Sequence, residues 1–257
     1  MSGDTISLAL TPVEQLIWSN LNPATYSGCT VDSGQKCTLA EAESYCENLD
    51  VEGLAWRLPN AHEMQILVNY GITPAPLIFS GFNISSDIYW TSTQGASSGF
   101  AIDFTDGATV THLVDSGAKV VCVSGGSIDA ASFKEIQCRP ELTSSLYNLI
   151  WLRLDTAQTW QDALSACENS TEENHTFWRL PNINELQVIL NDRENSPAST
   201  MPGIAVETIW SSTTDVLDNT KAFMIDTTDG TIYSADKTGT KTVYCVSDIP
   251  ELLNCPE

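Results

Sequence analysis

Apolar side chains recur along this chain with two periods, one helical and one extended. Behind Thr38 the apolar positions are Leu39, Ala42 and Cys46, and behind Thr159 they are Trp160, Ala163 and Cys167. Steps of three and four place each set on one helix face. Thr38-Leu39-Ala40-Glu41 has capping-box spacing, and Thr159-Trp160-Gln161-Asp162 is close to it. A second helix is expected behind Asn60 and again behind Asn182, with Glu63 and Glu185 three residues on. The preceding Pro59 or Pro181 stiffens the entry. Met64, Leu67 and Val68, and likewise Leu186, Ile189 and Leu190, give that helix an apolar stripe.

The period then changes to that of short strands. Residues 88–92, 100–103, 109–112 and 120–123 are β-branched and aromatic, as are 209–212, 223–226, 231–234 and 242–246. Thr-Asp-Gly at 105–107 and 228–230 is a hairpin-turn signal. Leu-Ile-Trp at 16–18 and 149–151 reads as an opening strand. The pattern predicts an α+β fold, built twice. Each copy would pack two helices on a small twisted antiparallel sheet, with a long proline-containing loop.

The doubling is explicit. WRLPNAHEMQILVN at 56–69 faces WRLPNINELQVILN at 178–191, identical at 8 of 14 positions. Tyr89-Trp90-Thr91-Ser92-Thr93 faces Ile209-Trp210-Ser211-Ser212-Thr213, and Cys122-Val123-Ser124 faces Cys245-Val246-Ser247. An offset near 120 is a whole domain, too long for a solenoid repeat. Gly125-Gly126-Ser127 reads as a flexible junction, so the expected domains are 1–126 and 127–257.

Charge removes several function classes. The net charge is −22, and it divides evenly: residues 1–130 hold 14 acids against 3 bases, and 131–257 hold 19 against 8. Such a surface repels phosphate backbones and anionic lipid, so neither nucleic acid nor a membrane is an expected partner. No apolar run approaches the roughly 20 residues a membrane span needs, so no membrane insertion is expected. No basic stretch precedes an apolar one near the start, since the first Lys is Lys36.

The 8 cysteines change the picture again. None forms a CxxC pair, and with only 3 histidines a zinc site is a poor reading. Unclustered cysteines in even number fit disulfides in an oxidising compartment. The chain is therefore read as secreted or cell-surface, its signal peptide not present in this sequence. Cys46–Cys122 and Cys167–Cys245 each join a first helix to a closing strand at equivalent positions. Cys29 and Cys37 share an insertion absent from the second copy and should pair locally, which leaves Cys138 with Cys255.

The LIW strand, the helix with its cysteine, WRLPN-x-x-E, the Trp strand and the closing Cys-Val-Ser together resemble the bacterial Lcl C-terminal domain family. The resemblance covers roughly residues 13–124 and 146–248. It implies a C-type-lectin-like fold and extracellular binding, as in a collagen-like adhesin that binds sulfated glycans. This chain lacks a Gly-X-Y segment and is acidic, so sulfated-glycan binding does not carry over. Calcium-lectin motifs such as Glu-Pro-Asn are absent as well.

Candidate chemistry is sparse, and neither a cofactor nor a metal nor catalytic residues are expected. Arg57 and Arg179 read as structural arginines at duplicated positions. Asp103, Asp106, Asp226 and Asp229 offer two carboxylates per copy, too few for calcium, and read as turn residues. His62-Glu63 is not followed by the second histidine of HExxH. The segments that differ between copies are 71–87, 94–99, 191–208 and 214–220. Their polar candidates for ligand contact are Asp87, Gln94, Asp215, Asp218 and Asn219. The same segments are equally read as tolerant connections. Two functions remain open. One is an adhesion or binding module for a glycan or protein ligand. The other is a structural subunit of an extracellular filament, with self-association.

Overall fold

The structure is a computed structural model, and it describes residues 5–9, 15–79, 82–94, 98–126, 133–135, 142–144, 149–171, 177–191, 198–199 and 201–248. The chain divides into two compact units, Met1–Ile128 and Asp129–Glu257.

In the first unit β1 (Thr5–Ala9), β2 (Gln15–Ser19) and β6 (Val123–Ser124) form one three-stranded sheet. β3 (Ile88–Gln94), β4 (Ser98–Asp103) and β5 (Thr109–Leu113) form another. Helices α1 (Leu39–Glu47) and α2 (Ala61–Ile66) lie between β2 and β3 in sequence. The second unit holds β7 (Phe133–Glu135), β8 (Leu142–Ser144) and β9 (Leu149–Gln158). Helices α3 (Trp160–Glu168) and α4 (Ile183–Leu186) follow, then β10 (Thr208–Thr214), β11 (Lys221–Asp226), β12 (Thr231–Asp236) and β13 (Lys241–Asp248). Its strands make a single sheet in the order β12-β11-β10-β13-β9-β8-β7.

This corrects the expected fold class. Among the described residues the protein is mostly β, with several sheets and four short helices. The layout is not the expected C-type-lectin one of two helices on one small sheet. The physical reason lies in the second-helix segments. Met64, Leu67 and Val68 are all fully buried, yet only Met64 is helical. α2 ends at Ile66, and Val68 enters a β-bridge with Ile78. α4 likewise ends at Leu186 and gives way to a 3-10 turn at 187–189, and Leu190 bridges to Ser199. Apolar steps of three and four fit a helical turn that unwinds as well as a helix that continues. Strands β1, β7 and β8, outside the duplicated pattern, add to the β content.

The two units also differ in how the closing strand pairs. In the second, β9 runs ten residues to Gln158, almost into α3, and β13 pairs with it from Asp248 back to Lys241. A parallel bridge, Ile209 with Thr242, joins that ladder to β10, and Tyr89 with Lys119 makes the equivalent bridge in the first unit. In the first, β2 ends at Ser19 and residues 20–37 intervene before α1. Cys37 and Ala118 exchange both backbone hydrogen bonds, 2.9 and 3.1 Å. The insertion thus occupies backbone groups that in the second unit belong to the β9–β13 ladder. Only Ile17 and Trp18 pair with β6, so the continuous ladder of the second unit is here two three-stranded sheets linked by single bridges.

Each core gathers round one disulfide. Cys46–Cys122 packs with Ala42, Trp56, Leu58, Trp90 and Ala101. Cys167–Cys245 packs with Ala163, Trp178, Leu180, Trp210 and Ala222. A third disulfide, Cys29–Cys37, staples the insertion. These are three of the four expected pairings, and Cys138 and Cys255 lie outside the described residues. Among the described residues no helix is long and apolar enough to cross a membrane.

Candidate functional site

The duplicated Trp-Arg-Leu-Pro-Asn element has the same geometry in both units. Arg57 pairs with Val123 through two backbone hydrogen bonds of 2.9 Å, and Arg179 with Val246 at 2.9 and 2.7 Å. The Pro59 and Pro181 carbonyls accept from the amides of Ser92 and Ser212 at 2.8 and 2.7 Å. Each short segment therefore bridges the closing strand and the Trp strand. Both guanidinium nitrogens of Arg57 donate to Glu63, each at 2.7 Å, and Arg179 donates to Glu185 at 2.6 and 2.7 Å. The same carboxylates accept from the amides of Asn60 and Asn182, both at 2.9 Å, and complete capping boxes. Arg57 also donates to the Gly126 carbonyl at 3.0 Å. A bidentate pair locked to a helix cap holds the fold and leaves no carboxylate facing a ligand.

The loop residues singled out from sequence do not converge. Asp87 is held by Lys36 at 3.0 Å and by Lys119 at 3.9 Å, and its Oδ1 accepts from the Ile88 amide. Gln94 is exposed at the end of β3, beyond a β-bulge. Asp215 is buried, accepting from the Leu217 amide at 2.9 Å and from the Ser234 hydroxyl at 2.7 Å. Asp218 caps the next turn, accepting from the Thr220 amide at 3.1 Å and hydroxyl at 2.6 Å. Those bonds, the Thr220 hydroxyl foremost, hold its carboxyl below the usual carboxylate range. The carbonyl of Asn219 accepts from Lys237 at 2.9 Å. Asp87, Asp215 and Asp218 thus bond within the fold.

A residue missed in the sequence stands opposite Asp87. Glu207, at the offset of 120, precedes β10 as Asp87 precedes β3. Its carboxylate accepts from Arg153 at 2.9 Å, from the Thr242 hydroxyl at 3.0 Å and from the Tyr244 hydroxyl at 2.9 Å. Burial, with the Glu207 charge beside it, pushes the Tyr244 phenol well above its ordinary value. The duplication offset was the signal that could have found Glu207. Its cations differ between copies, which hid the equivalence.

The aspartate pairs are turn builders. Asp103 and Asp106 accept from the amides of Thr105 and Ala108 at 2.8 and 3.0 Å, and Asp226 and Asp229 from those of Thr228 and Thr231 at 2.8 and 3.1 Å. Gly107, at φ +79°, sits against Tyr70, and a Cβ there would come within 2.8 Å of its ring. The Tyr70 hydroxyl donates to the Gly107 carbonyl at 3.0 Å, inside the core. Among the described residues no three His, Cys, Asp or Glu side chains stand together as a metal set. His112 packs edge-on against Trp90, with ring centroids 5.0 Å apart, and His175 lies outside the described residues.

The shared frame is thus Arg, Glu, Asn, Trp and a disulfide, set out twice in one geometry. The Lcl C-terminal domain profile matches residues 11–124 and again 142–247. The chain belongs to the Lcl C-terminal domain family. A comparison with curated proteins gives no match.

What distinguishes the first Lcl C-terminal domain from the second is the stapled insertion, which borders two surface depressions. One, of about 520 Å³, is lined by Asn22, Thr25, Gln35 and Lys119 among others. The other, of about 650 Å³, lies between the turn at Ser27-Gly28 and the outer face of α1. The Trp90 indole donates to the Cys37 carbonyl at 2.7 Å and fixes the insertion to the Trp strand. In the second domain the Trp210 indole donates to Gln158, at the end of β9, at 3.1 Å. One indole thus performs the same anchoring in both domains, on whatever chain precedes the first helix.

Proposed function

We propose that this protein is an extracellular or cell-surface binding protein that recognises a glycan or protein ligand through segments added to a duplicated frame. The observation that carries this reading is the division of polar groups. In the frame, Arg57, Glu63, Arg179, Glu185 and the turn aspartates all bond internally. On the disulfide-stapled insertion of the first domain, Asn22, Thr25 and Gln35 line one open depression, and Ser27 faces polar groups of α1 across another. Rigid scaffolds with ligand contacts on added loops are the usual division of labour. The three disulfides fit an oxidising compartment. The net charge of −22 favours neutral or basic partners over polyanions.

A second reading, a filament subunit, draws on β12, the outer strand of the second unit's sheet, since outer strands are where chains add to one another. A screen of glycans and proteins against the intact chain, with and without calcium, tests the first reading. A concentration series by light scattering separates the two. A monomer or small closed oligomer with saturable ligand binding supports the binding protein, and open-ended growth without ligand supports the filament.

A further inference from the structure

We propose that the depression between α1 and the Cys29–Cys37 insertion is a saccharide pocket that takes one uncharged sugar residue. This deepens the binding reading above and rests on it.

The pocket has a suitable size and a defined wall. Its volume of about 650 Å³ falls within the roughly 300–1,000 Å³ of small-molecule sites. Tyr45 lines it, half-buried, and its ring stands edge-to-face with Tyr26, centroids 5.1 Å apart and planes at 89°. That contact fixes the ring before any ligand arrives, so little side-chain freedom is lost on binding. An aromatic wall suits the C–H face of a pyranose.

The polar groups define the ligand class. Ser27, Ser44, Tyr45, Asn48 and Asp50 surround the depression. Glu41 also reaches it, but its carboxylate already accepts from the Thr30 hydroxyl at 2.6 Å and the Thr38 amide at 2.9 Å. The Tyr45 hydroxyl and the Asp50 carboxylate make no hydrogen bond to any described residue. The Ser44 hydroxyl accepts from the Asn48 side-chain amide at 3.3 Å and keeps its own proton to donate. The lining holds no Lys, Arg or His, so an anionic ligand would meet carboxylates with no counter-charge. An ammonium ion could use the acceptors but would leave the hydroxyl donors unmatched. Sugar hydroxyls donate and accept at once, and they match the mixed set.

The second domain shows that the fold does not need this set. There Ala166 stands at the Tyr45 position, Thr171 at the Asp50 position, and the insertion is absent. Ser165 and Asn169, opposite Ser44 and Asn48, repeat the Asn side-chain bond to a serine carbonyl, at 2.7 Å in both domains. The helix-capping part is therefore shared, and the aromatic wall, the open carboxylate and the insertion turn are specific to the first domain.

The test uses the intact protein, isotope-labelled, and follows backbone amides. The probes are the methyl glycosides of glucose, galactose, mannose and N-acetylglucosamine, with butylammonium as a cation and glucose 6-sulfate as an anion. At least one neutral glycoside is expected to shift the amides of Ser27, Ser44, Tyr45 and Asn48 saturably. Tyr45→Ala should then weaken binding by about tenfold or more. Should Tyr45→Ala perturb α1, Tyr45→Phe and Asp50→Asn leave the packing intact and should each still weaken the same titration. The Ser165→Ala control in the second domain should leave it unchanged. Shifts with butylammonium but not with the glycosides would overturn the proposal, as would glycoside shifts confined to other residues or none at all. None of those results touches the broader binding reading, which fails only if the glycan and protein screen is blank.

Discussion

Glu63→Gln is the sharpest test of the claim that the duplicated arginine and glutamate hold the fold. The glutamate side chain has no exposed surface, whereas Arg57 keeps 31% of its own. The substitution preserves shape but removes the charge, and it turns an N–H donor toward the guanidinium where an oxygen stood. Removing one partner of a fully buried ion pair costs about 3–5 kcal/mol. Arg57 is a third exposed and keeps its bond to the Gly126 carbonyl, which discounts the expected loss to about 2–3 kcal/mol. The second unit supplies an internal comparison. Glu185 and Arg179 are 12% and 42% exposed, so Glu185→Gln should cost only about 1–2 kcal/mol. Native-state amide exchange resolves the two units in one chain. Val123 and Val246, whose amides bond to Arg57 and Arg179, are the reporters. Glu63→Gln should lower protection at Val123 and leave Val246 alone, and Glu185→Gln the reverse. A double variant, Arg57→Met with Glu63→Gln, should cost less than the two single changes added together, by about 1 kcal/mol or more. A change at Val123 below about 0.5 kcal/mol, a larger effect from Glu185→Gln, or an additive double variant would refute the reasoning.

Replacing Cys46 and Cys122 by Ala removes a bridge with a sequence separation of 76. It should cost roughly 4 kcal/mol in urea unfolding, against about 2–3 kcal/mol for the eight-residue Cys29–Cys37 bridge. Acid should loosen the start of α1. The Thr30 hydroxyl, then the Thr38 amide, hold the Glu41 carboxyl below its ordinary 4.5. Its contribution is therefore complete above that value and is lost as pH falls through the lowered one, which exchange at the Glu41 amide across pH 5 to 3 would show. Heparin should bind weakly at low salt. Tight binding at physiological salt, relieved by more salt, would reveal a basic patch inconsistent with the charge argument. Changing His62, His112 and His175 together should leave ligand binding intact, and loss of binding in a titration of that variant would point to chemistry at a histidine.

Local features were legible in the sequence because their determinants are short-range. Thr38 with Glu41 and Asn60 with Glu63 form capping boxes three residues apart, whatever surrounds them. The turn aspartates bond to amides two residues on. The duplication itself implied two disulfides, since equivalent cysteines must occupy equivalent places, and the insertion left Cys29 and Cys37 to pair with each other. What tertiary structure alone decided was how far each element runs and which strands meet. The stripe Met64, Leu67, Val68 was read as helix throughout, but the Val68–Ile78 bridge draws its end into extended backbone. The same register of closing strand gives one seven-stranded sheet in the second unit and two three-stranded sheets in the first. There the insertion interrupts the ladder between Ser19 and Cys37, and only the single bridges Cys37–Ala118 and Tyr89–Lys119 continue it. The candidate binding residues diverged for the same reason. Asp87 and Asp215 are polar loop residues in sequence, yet their partners Lys36 and Ser234 come from other elements. Tyr45 drew no notice on a helix surface until residues 27–28 were placed beside it. Contacts between segments far apart in sequence carry no local signature, and here they determine both the β-rich architecture and the pocket.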